Sequence, residues 1–436
     1  MEIFEKLMRG SLGLAFFCAV AWILSSDKKR FPWRLVFVGL GMQFALAGVI
    51  LGTGPGRDFF QSLATFFSEL VTRASAGPAM VFGPLAGGGD LGFVFAFAGT
   101  GLPVIIFFSA LMAILYHIGI MQVMIYYLAR IMSKLLKVSG AESMAMAANI
   151  FVGQTEAPLV VKPYISGMTK SELNSLMTGG FATIAGSVLA VYLSVLGPEI
   201  GPHLLTASVM SAPAAFLIAK IMVPETEIAS TGGKLELKVE RSASNLLEAA
   251  ANGTSDGLKL WLNVIAMLVA FVALVSLVNW PLEAMSDPGD PVTIGSIFGK
   301  VFAPVAWLMG VESWHDCELF GSLLGIKVAV NEFVAMGDLS GMAAAVSGSA
   351  VENVDGIFNN KRSSVMAAYA LCGFANFASI GIQIGGLASL APERKTDLAR
   401  LALKAMIGGA FASWMTATVA GIFISSDGQN ILAGLF

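Results

Sequence analysis

Cysteine is scarce in this chain: Cys18, Cys317 and Cys372 are the only three among 436 residues, and all lie inside or beside apolar stretches. No paired spacing offers a disulfide frame or a zinc site, so they read as small core residues. Histidine is equally rare, and His117, His203 and His315 are dispersed with no second metal ligand beside them, except that His315-Asp316-Cys317 could hold a metal with distant help. Charge is the largest deficit. Asp, Glu, Lys and Arg together make up 13% of the chain, against roughly a quarter in soluble domains, so water is not its main solvent. A net charge of -3 leaves no basic excess to match a phosphate backbone, which excludes nucleic acid as a partner. The Gly87-Gly88-Gly89-Asp90 run reads as a loop, since no strand precedes it and no lysine follows in a phosphate-cradling pattern.

What is abundant is apolar surface, at 56% of residues. A bilayer core needs about twenty mostly apolar residues per helix, and blocks at 35–51, 204–222, 257–278 and 401–424 supply them. The block at 10–24 runs into Ser25-Ser26-Asp27-Lys28-Lys29-Arg30 with no small-residue cleavage site ahead of the charges, so it reads as a first span and not a leader. Basic residues collect in cytoplasmic loops. Placing Lys28, Lys29, Arg30 and Arg34, then Arg130, Lys134 and Lys137, then Lys220, Lys234, Lys238 and Arg241, and finally Arg394, Lys395, Arg400 and Lys404 inside predicts eight crossings with both termini outside. Lys361 and Arg362 are exceptions to that rule.

Two further apolar stretches must then enter and leave on one side. The first, 141–167, is interrupted by Gly153, Gln154, Thr155, Glu156 and Pro158 and flanked by Lys137, Lys162 and Lys170, which predicts a hairpin entering from the cytoplasm. The second, 319–341, is interrupted by Lys327, Asn331 and Glu332 and follows the acidic stretch 312–318, which predicts a hairpin from outside. Hairpin, span, span thus recurs at 141–222 and 319–424 in opposite orientations, an inverted repeat that would place a site at the membrane midplane. The alternative is that Gly and Pro kink ordinary helices. The predicted fold is an all-α membrane protein of eight transmembrane helices, two re-entrant hairpins of opposite orientation and interfacial helices. The segment 58–73 has an apolar stripe at helical spacing, suited to lying in the interface or packing on neighbouring spans. The stretch 224–252 reads as a cytoplasmic linker, and Trp33, Trp280, Trp307 and Trp314 fit an interfacial aromatic belt.

A carboxylate within a span costs roughly 2.5–3.5 kcal/mol on insertion scales, so Glu156 and Glu332, each where a hairpin should turn, need a reason. Either each caps a helix end or pairs with a lysine such as Lys327, or each accepts hydrogen bonds from a solute. The following spans, 177–195 and 365–387, carry Thr183 and Ser187, and then Asn376, Ser379 and Gln383 on one helical face. Amides, hydroxyls and carboxylates with no arginine at either tip suit an uncharged solute rich in donors. A vicinal diol fits, because both hydroxyls can donate to one carboxylate. A base edge would suit Gln154 and Thr155, with Phe374 or Phe377 in apolar contact. A membrane-embedded enzyme using Glu156 and Glu332 as acid and base is the reading from another class, and a passive channel is disfavoured by two occluding hairpins.

Gly153-Gln154-Thr155-Glu156-Ala157-Pro158, Cys372-Gly373-Phe374-Ala375-Asn376-Phe377-Ala378-Ser379-Ile380 and Gln383-Ile384-Gly385-Gly386-Leu387 resemble the signature segments of concentrative nucleoside transporters. Asn252-Gly253-Thr254-Ser255-Asp256-Gly257 and Asn331-Glu332-Phe333 extend the resemblance over most of the chain. It implies cation-coupled nucleoside symport by alternating access, with no enzymatic activity and no organic cofactor, in a homotrimer of the cell's inner membrane. Residues 1–136 and 224–318 would form the scaffold, and 137–223 and 319–436 the moving transport domain. Gln154, Thr155 and Glu156 would hold the base with Val188 beside it, and Glu332, Asn376 and Ser379 the ribose with Phe374 alongside. Asn149, Val152, Thr183 and Ile184 match the ligands of the sodium ion in sodium-coupled members, Thr183 standing where serine is expected. Protons carried by Glu156 or Glu332 are the alternative coupling. The substrates implied are uridine, cytidine and, given the room Gly153 leaves beside Gln154, adenosine.

Overall fold

In a computed structural model, residues 2–83, 101–231, 243–287, 291–344 and 356–425 are described; the Gly87–Asp90 run and the linker's Lys234, Lys238 and Arg241 lie outside them. The regular elements are helices. The chain opens with α1 (Glu2–Ile23), α2 (Trp33–Ile50), α3 (Gly54–Ala74), α4 (Ala76–Phe82), α5 (Val104–His117) and α6 (Ile120–Leu136). Then come α7 (Gly140–Asn149), a turn leading into the 3-10 segment Ala157–Val161 and α8 (Lys162–Ile165), and α9 (Lys170–Ala182), α10 (Gly186–Leu196) and α11 (Gly201–Met222). After α12 (Leu246–Ala284) and α13 (Ile294–Met309), a similar order follows: α14 (Trp314–Ala329), α15 (Glu332–Ala344), α16 (Lys361–Leu371), α17 (Phe377–Leu390) and α18 (Lys395–Phe423). Six helical segments among the described residues, one of them α9 taken together with α10, are long and apolar enough to cross a bilayer, or up to eight if each of two bent pairs, α5 with α6 and α13 with α14, is one span.

The segment 58–73 lies within α3, which Thr53 caps by accepting from the Gly56 N–H at 3.1 Å. Phe59 and Phe66 stay exposed, while Phe67 stacks on Phe108 of α5 at 5.9 Å, so the helix both packs and presents an apolar face. The stretch expected to be linker as far as 252 is shorter on its far side, because α12 already begins at Leu246. There the Asn245 side chain accepts from the Glu248 N–H at 2.9 Å, a helix start that the following alanines propagate. At 39 residues α12 is about 58 Å long by helical rise, well beyond a hydrocarbon core of about 30 Å. Its Gly253 and Gly257 ride against α5; a Cβ at Gly253 would come within 2.6 Å of the Ser109 carbonyl oxygen, and one at Gly257 within 2.8 Å of Ile106 Cα. Two glycines four apart let the backbones approach this closely.

α11 and α18 are buried almost throughout and pack on each other, with α9 and α16 against α18. Two expected spans are not continuous helices. α9 stops at Ala182 and α10 restarts at Gly186, while α16 stops at Leu371 and α17 restarts at Phe377. Thr183 is extended, at φ -124° and ψ 166°. Gly373 has φ +132°, and a Cβ there would meet the Phe181 carbonyl oxygen at 2.7 Å and the Ala182 carbonyl carbon at 2.9 Å. The two breaks therefore touch, backbone to backbone, where only glycine fits.

Two basic residues weighed in the sequence against the loop rule, Lys220 as a marker and Arg362 as an exception, are buried and structural. Lys220 at the end of α11 is buried and pairs with Glu142 Oε2 at 2.8 Å, also donating to Ser171 Oγ at 3.0 Å. Glu142 and Glu172 belong to capping boxes begun by Ser139 and Thr169, so each carboxylate accepts backbone N–H groups at the foot of α7 or α9. Arg362 is buried, donating to the carbonyls of Gly421 at 2.9 Å and Gly310 at 2.8 Å and pairing with Glu312 at 3.3 Å. It is thus not a free loop charge, which accounts for its departure from the charge rule. Removing one member of a buried ion pair costs about 3–5 kcal/mol because the other charge is stranded. Lys220→Met should accordingly lower the melting temperature of the purified protein by several degrees, and an unchanged melt would mean that Glu142 is hydrated there.

Candidate functional site

The turn between α14 and α15 presents Asn331 and Glu332. Asn331 Oδ1 accepts from the Val334 N–H at 2.9 Å, which fixes the start of α15 and leaves Glu332 as its first residue. Glu332 is only 6% exposed. Its Oε2 accepts from Asn376 Nδ2 at 2.8 Å and its Oε1 from the Tyr192 hydroxyl at 3.2 Å, so three elements meet at one carboxylate. A carboxylate has about four lone-pair positions. Two are filled, one on each oxygen, and two remain.

Asn376 caps α17: its Oδ1 accepts from the Ser379 N–H at 2.8 Å. It was expected within a helix and lies instead at the helix's first turn, where the break frees the N–H groups it serves. Ser379 and Gln383 are buried with it on the same face. Gln383 Nε2 donates to the Met177 carbonyl at 3.0 Å and to Gln154 Oε1 at 3.0 Å. The turn after α7 is thereby tied to α17 two turns beyond the point where Glu332 is tied. Seven residues of helix span about 10 Å. The turn after α7 and the turn before α15 thus contact one face of one helix, separated by about the length of a small two-ring solute.

Gln154 sits over Gly180, where a Cβ would fall within 2.9 Å of its own Cβ and 2.5 Å of Gln383 Nε2. Since its Oε1 already accepts from Gln383, its amide N–H groups are the ones left to donate. Thr155 Cγ2 would touch a Cβ at Gly386 at 3.2 Å, so it too faces α17. Glu156 folds back over Gly153 and is exposed, its carboxylate bordering space that protein does not fill. Val188 is buried in α10 and Phe374 half-buried in the break before α17; Phe377 is exposed and turned away from the core. Among the described residues no lysine or arginine lies within 4.0 Å of either Glu156 or Glu332. Lys327, the expected rival partner, instead donates to the Ala370 carbonyl and Ser413 Oγ.

The first break and the end of α7 bring together oxygens that protein leaves unbonded. Asn149, 1% exposed at the end of α7, has neither its Oδ1 nor its Nδ2 satisfied by protein. The Thr183 hydroxyl donates to the Gly179 carbonyl at 3.0 Å, which turns its lone pairs outward. The carbonyls of Val152, Thr183 and Ile184 accept no backbone N–H among the described residues. Hard, neutral oxygens left unbonded in a buried turn are the donor set of a dehydrated alkali ion.

Sequence reasoning missed the buried carboxylates Glu142 and Glu172. Ser139-Gly140-Ala141-Glu142 and Thr169-Lys170-Ser171-Glu172 are both capping-box spellings and would have located them. Tyr192, the second donor to Glu332, carried no signal beyond being a tyrosine in an apolar run.

This is an all-helical membrane protein with a polar site at the meeting of helix breaks, the architecture of a solute transporter. Residues 12–85 match the model for the sodium-dependent nucleoside transporter N-terminus and 203–421 that for its C-terminus, and 98–199 match a nucleoside-recognition gate model. The chain is 44% identical over 423 residues to the uncharacterized transporter YutK of Bacillus subtilis, which covers 96% of this chain and 100% of that one. It is 40% identical over 424 residues to rat sodium/nucleoside cotransporter 1, covering 96% of this chain and 64% of the rat protein. The fold is similar to that of CNTnw in an inward-facing substrate-bound state, at 40% identity and a TM-score of 0.84, with 95% of this chain and 98% of that chain covered. The chain belongs to the sodium-dependent nucleoside transporter family, whose members are transporters and not enzymes.

Proposed function

We propose that the protein carries nucleosides into the cell together with sodium, by alternating access, through one site between two re-entrant hairpins. The observation that carries this reading is the Glu332 carboxylate, which holds two protein donors and keeps one acceptor position on each oxygen. A vicinal diol supplies two hydroxyls at that spacing. The ribose would lie at Glu332, Asn376 and Ser379 with Phe374 alongside, its hydroxyls donating to the carboxylate in charge-assisted bonds. The base would reach toward the other turn, where Gln154 donates to a ring carbonyl and Thr155, Glu156 and Val188 complete the wall. Uridine and cytidine fit these donors, and Gly153 leaves space for the larger ring of adenosine.

Sodium at Asn149, Val152, Thr183 and Ile184 would order the turn that ends α7 and carries Gln154. Each ligand would then favour the other's site, which is the physical content of coupling. In this reading α7 to α8 and α14 to α15 are the hairpins of two inverted repeats, 137–223 and 319–436, that move as a transport domain. Residues 1–136 and 224–318 are a static scaffold within a homotrimer in the inner membrane, both termini outside and eight helices crossing. The mutual packing of α9, α11, α16 and α18 supports treating the two repeats as one moving body. Uptake of labelled uridine into cells expressing the protein should collapse when choline replaces sodium. Equal uptake in both media would remove the coupling claim.

A further inference from the structure

Lys327 lies in the last turn of α14, 0% exposed, a few residues ahead of Glu332. Its ammonium donates to the Ala370 carbonyl at 2.7 Å and to Ser413 Oγ at 2.8 Å. Ser413 gives its own proton to the Ala410 carbonyl at 2.9 Å, so it meets Lys327 as an acceptor. The Ala370 carbonyl, in the final turn of α16, accepts no backbone N–H among the described residues outside the helix, because the chain unwinds after Leu371 and the Phe374 N–H that would continue the ladder to it makes no such bond. No carboxylate lies within 4.0 Å of the ammonium among the described residues. A buried charge satisfied only by neutral oxygens is an expensive arrangement for mere packing.

Those neutral oxygens are informative. A carbonyl at the broken end of α16 and a serine hydroxyl within α18, beside the α14–α15 turn, are neutral oxygens of the same kind as those that Val152, Thr183, Ile184 and Asn149 offer at the first break. The end of α7 with the α9–α10 break corresponds, element for element, to the end of α14 with the α16–α17 break. In the first half the oxygens are left unbonded by protein; in the second half the Lys327 ammonium fills the place. We propose that Lys327 is a tethered cation, doing permanently for the second break what a bound sodium ion does for the first. It fixes the carbonyl end of α16 and hence the segment 372–376, so that Asn376 reaches Glu332 in the geometry that receives the sugar. Lys327 is thus a positioning residue, and its presence leaves the transporter with one mobile cation site in place of two. The inference rests on the reading of the chain as two inverted repeats coupled to sodium.

The test is calorimetric binding of uridine to the full-length purified protein across a sodium series balanced with choline, for the parent, Lys327→Gln and Lys327→Ala. Glutamine can donate to both oxygens without a charge, and alanine vacates the place. Lys327→Gln is expected to lose uridine affinity by about tenfold or more. In Lys327→Ala the sodium dependence of uridine binding should steepen, from the slope of a single coupled ion toward that of two, a change that simple loosening of the core does not produce. Parent-like binding by Lys327→Gln, or an unchanged slope in Lys327→Ala, overturns the proposal. The parent's own titration reads the underlying function separately: if the parent binds uridine equally in sodium and choline, coupling fails, while the comparison of parent with Lys327→Gln still reports on the positioning role.

Discussion

Glu332→Gln should reduce uridine uptake and uridine affinity by at least a hundredfold. The amide keeps the shape of the carboxylate but has one acceptor oxygen, and its NH2 must face one of the two donors, Asn376 Nδ2 or the Tyr192 hydroxyl, that the two carboxylate oxygens now satisfy separately. Charge-assisted hydrogen bonds contribute about 1.5–3 kcal/mol each, so losing two to the sugar is worth about 3–6 kcal/mol, or factors of about 10² to 10⁴. A sharper form of the test uses deoxynucleosides. The parent should bind 2′-deoxyuridine and 3′-deoxyuridine more weakly than uridine, and Glu332→Gln should bind all three alike. If the variant still discriminates between them, the diol is read elsewhere.

Asn149→Ala should raise the sodium concentration for half-maximal uptake by about tenfold or more, because it deletes the one side-chain amide at the first break whose atoms have no protein partner. Uridine affinity measured at very high sodium should return toward that of the parent, since the Asn149 amide makes no hydrogen bond to Glu332 or to α17 among the described residues. The two variants therefore separate. One loses nucleoside at any sodium concentration, and the other loses sodium first and nucleoside through it. A variant of Asn149 with unaltered sodium dependence, measured by uptake in sodium–choline mixtures, would place the ion somewhere else.

The parts of this site that could be read in the sequence are those where burial is costly. Glu156 and Glu332 stood out because a carboxylate in an apolar run is expensive, and Asn376, Ser379 and Gln383 because their spacing put them on one face. The structure places Glu332 on Asn376, and Gln154 on Gln383. What periodicity could not reveal were the interruptions of α9–α10 and α16–α17. Each segment is apolar on both sides of the break, and an unwound residue such as Thr183 keeps the same hydropathy whether or not it is helical. Gly373 was the available clue, since its positive φ is what the crossing of the two breaks demands.

Counting charges does not distinguish a loop charge from a buried one. Lys220 was placed by the loop rule and Arg362 stood as an exception to it; both are buried, one closing an ion pair with Glu142 and the other satisfying the carbonyls of Gly421 and Gly310. Hydropathy treats a lysine the same in either setting; only its partners, which come from distant parts of the chain, distinguish them. The start of α12 was legible in principle from Asn245 and Glu248, but the polar composition around them favoured a linker.

The most direct test is an experimental structure of the protein with uridine and sodium bound. The account predicts the nucleoside lying along α17, with both ribose hydroxyls within hydrogen-bond distance of Glu332 and the base against Gln154 and Thr155. Uridine found away from both the α7–α8 and α14–α15 turns, or bound with Glu332 still facing only Asn376 and Tyr192, would contradict it.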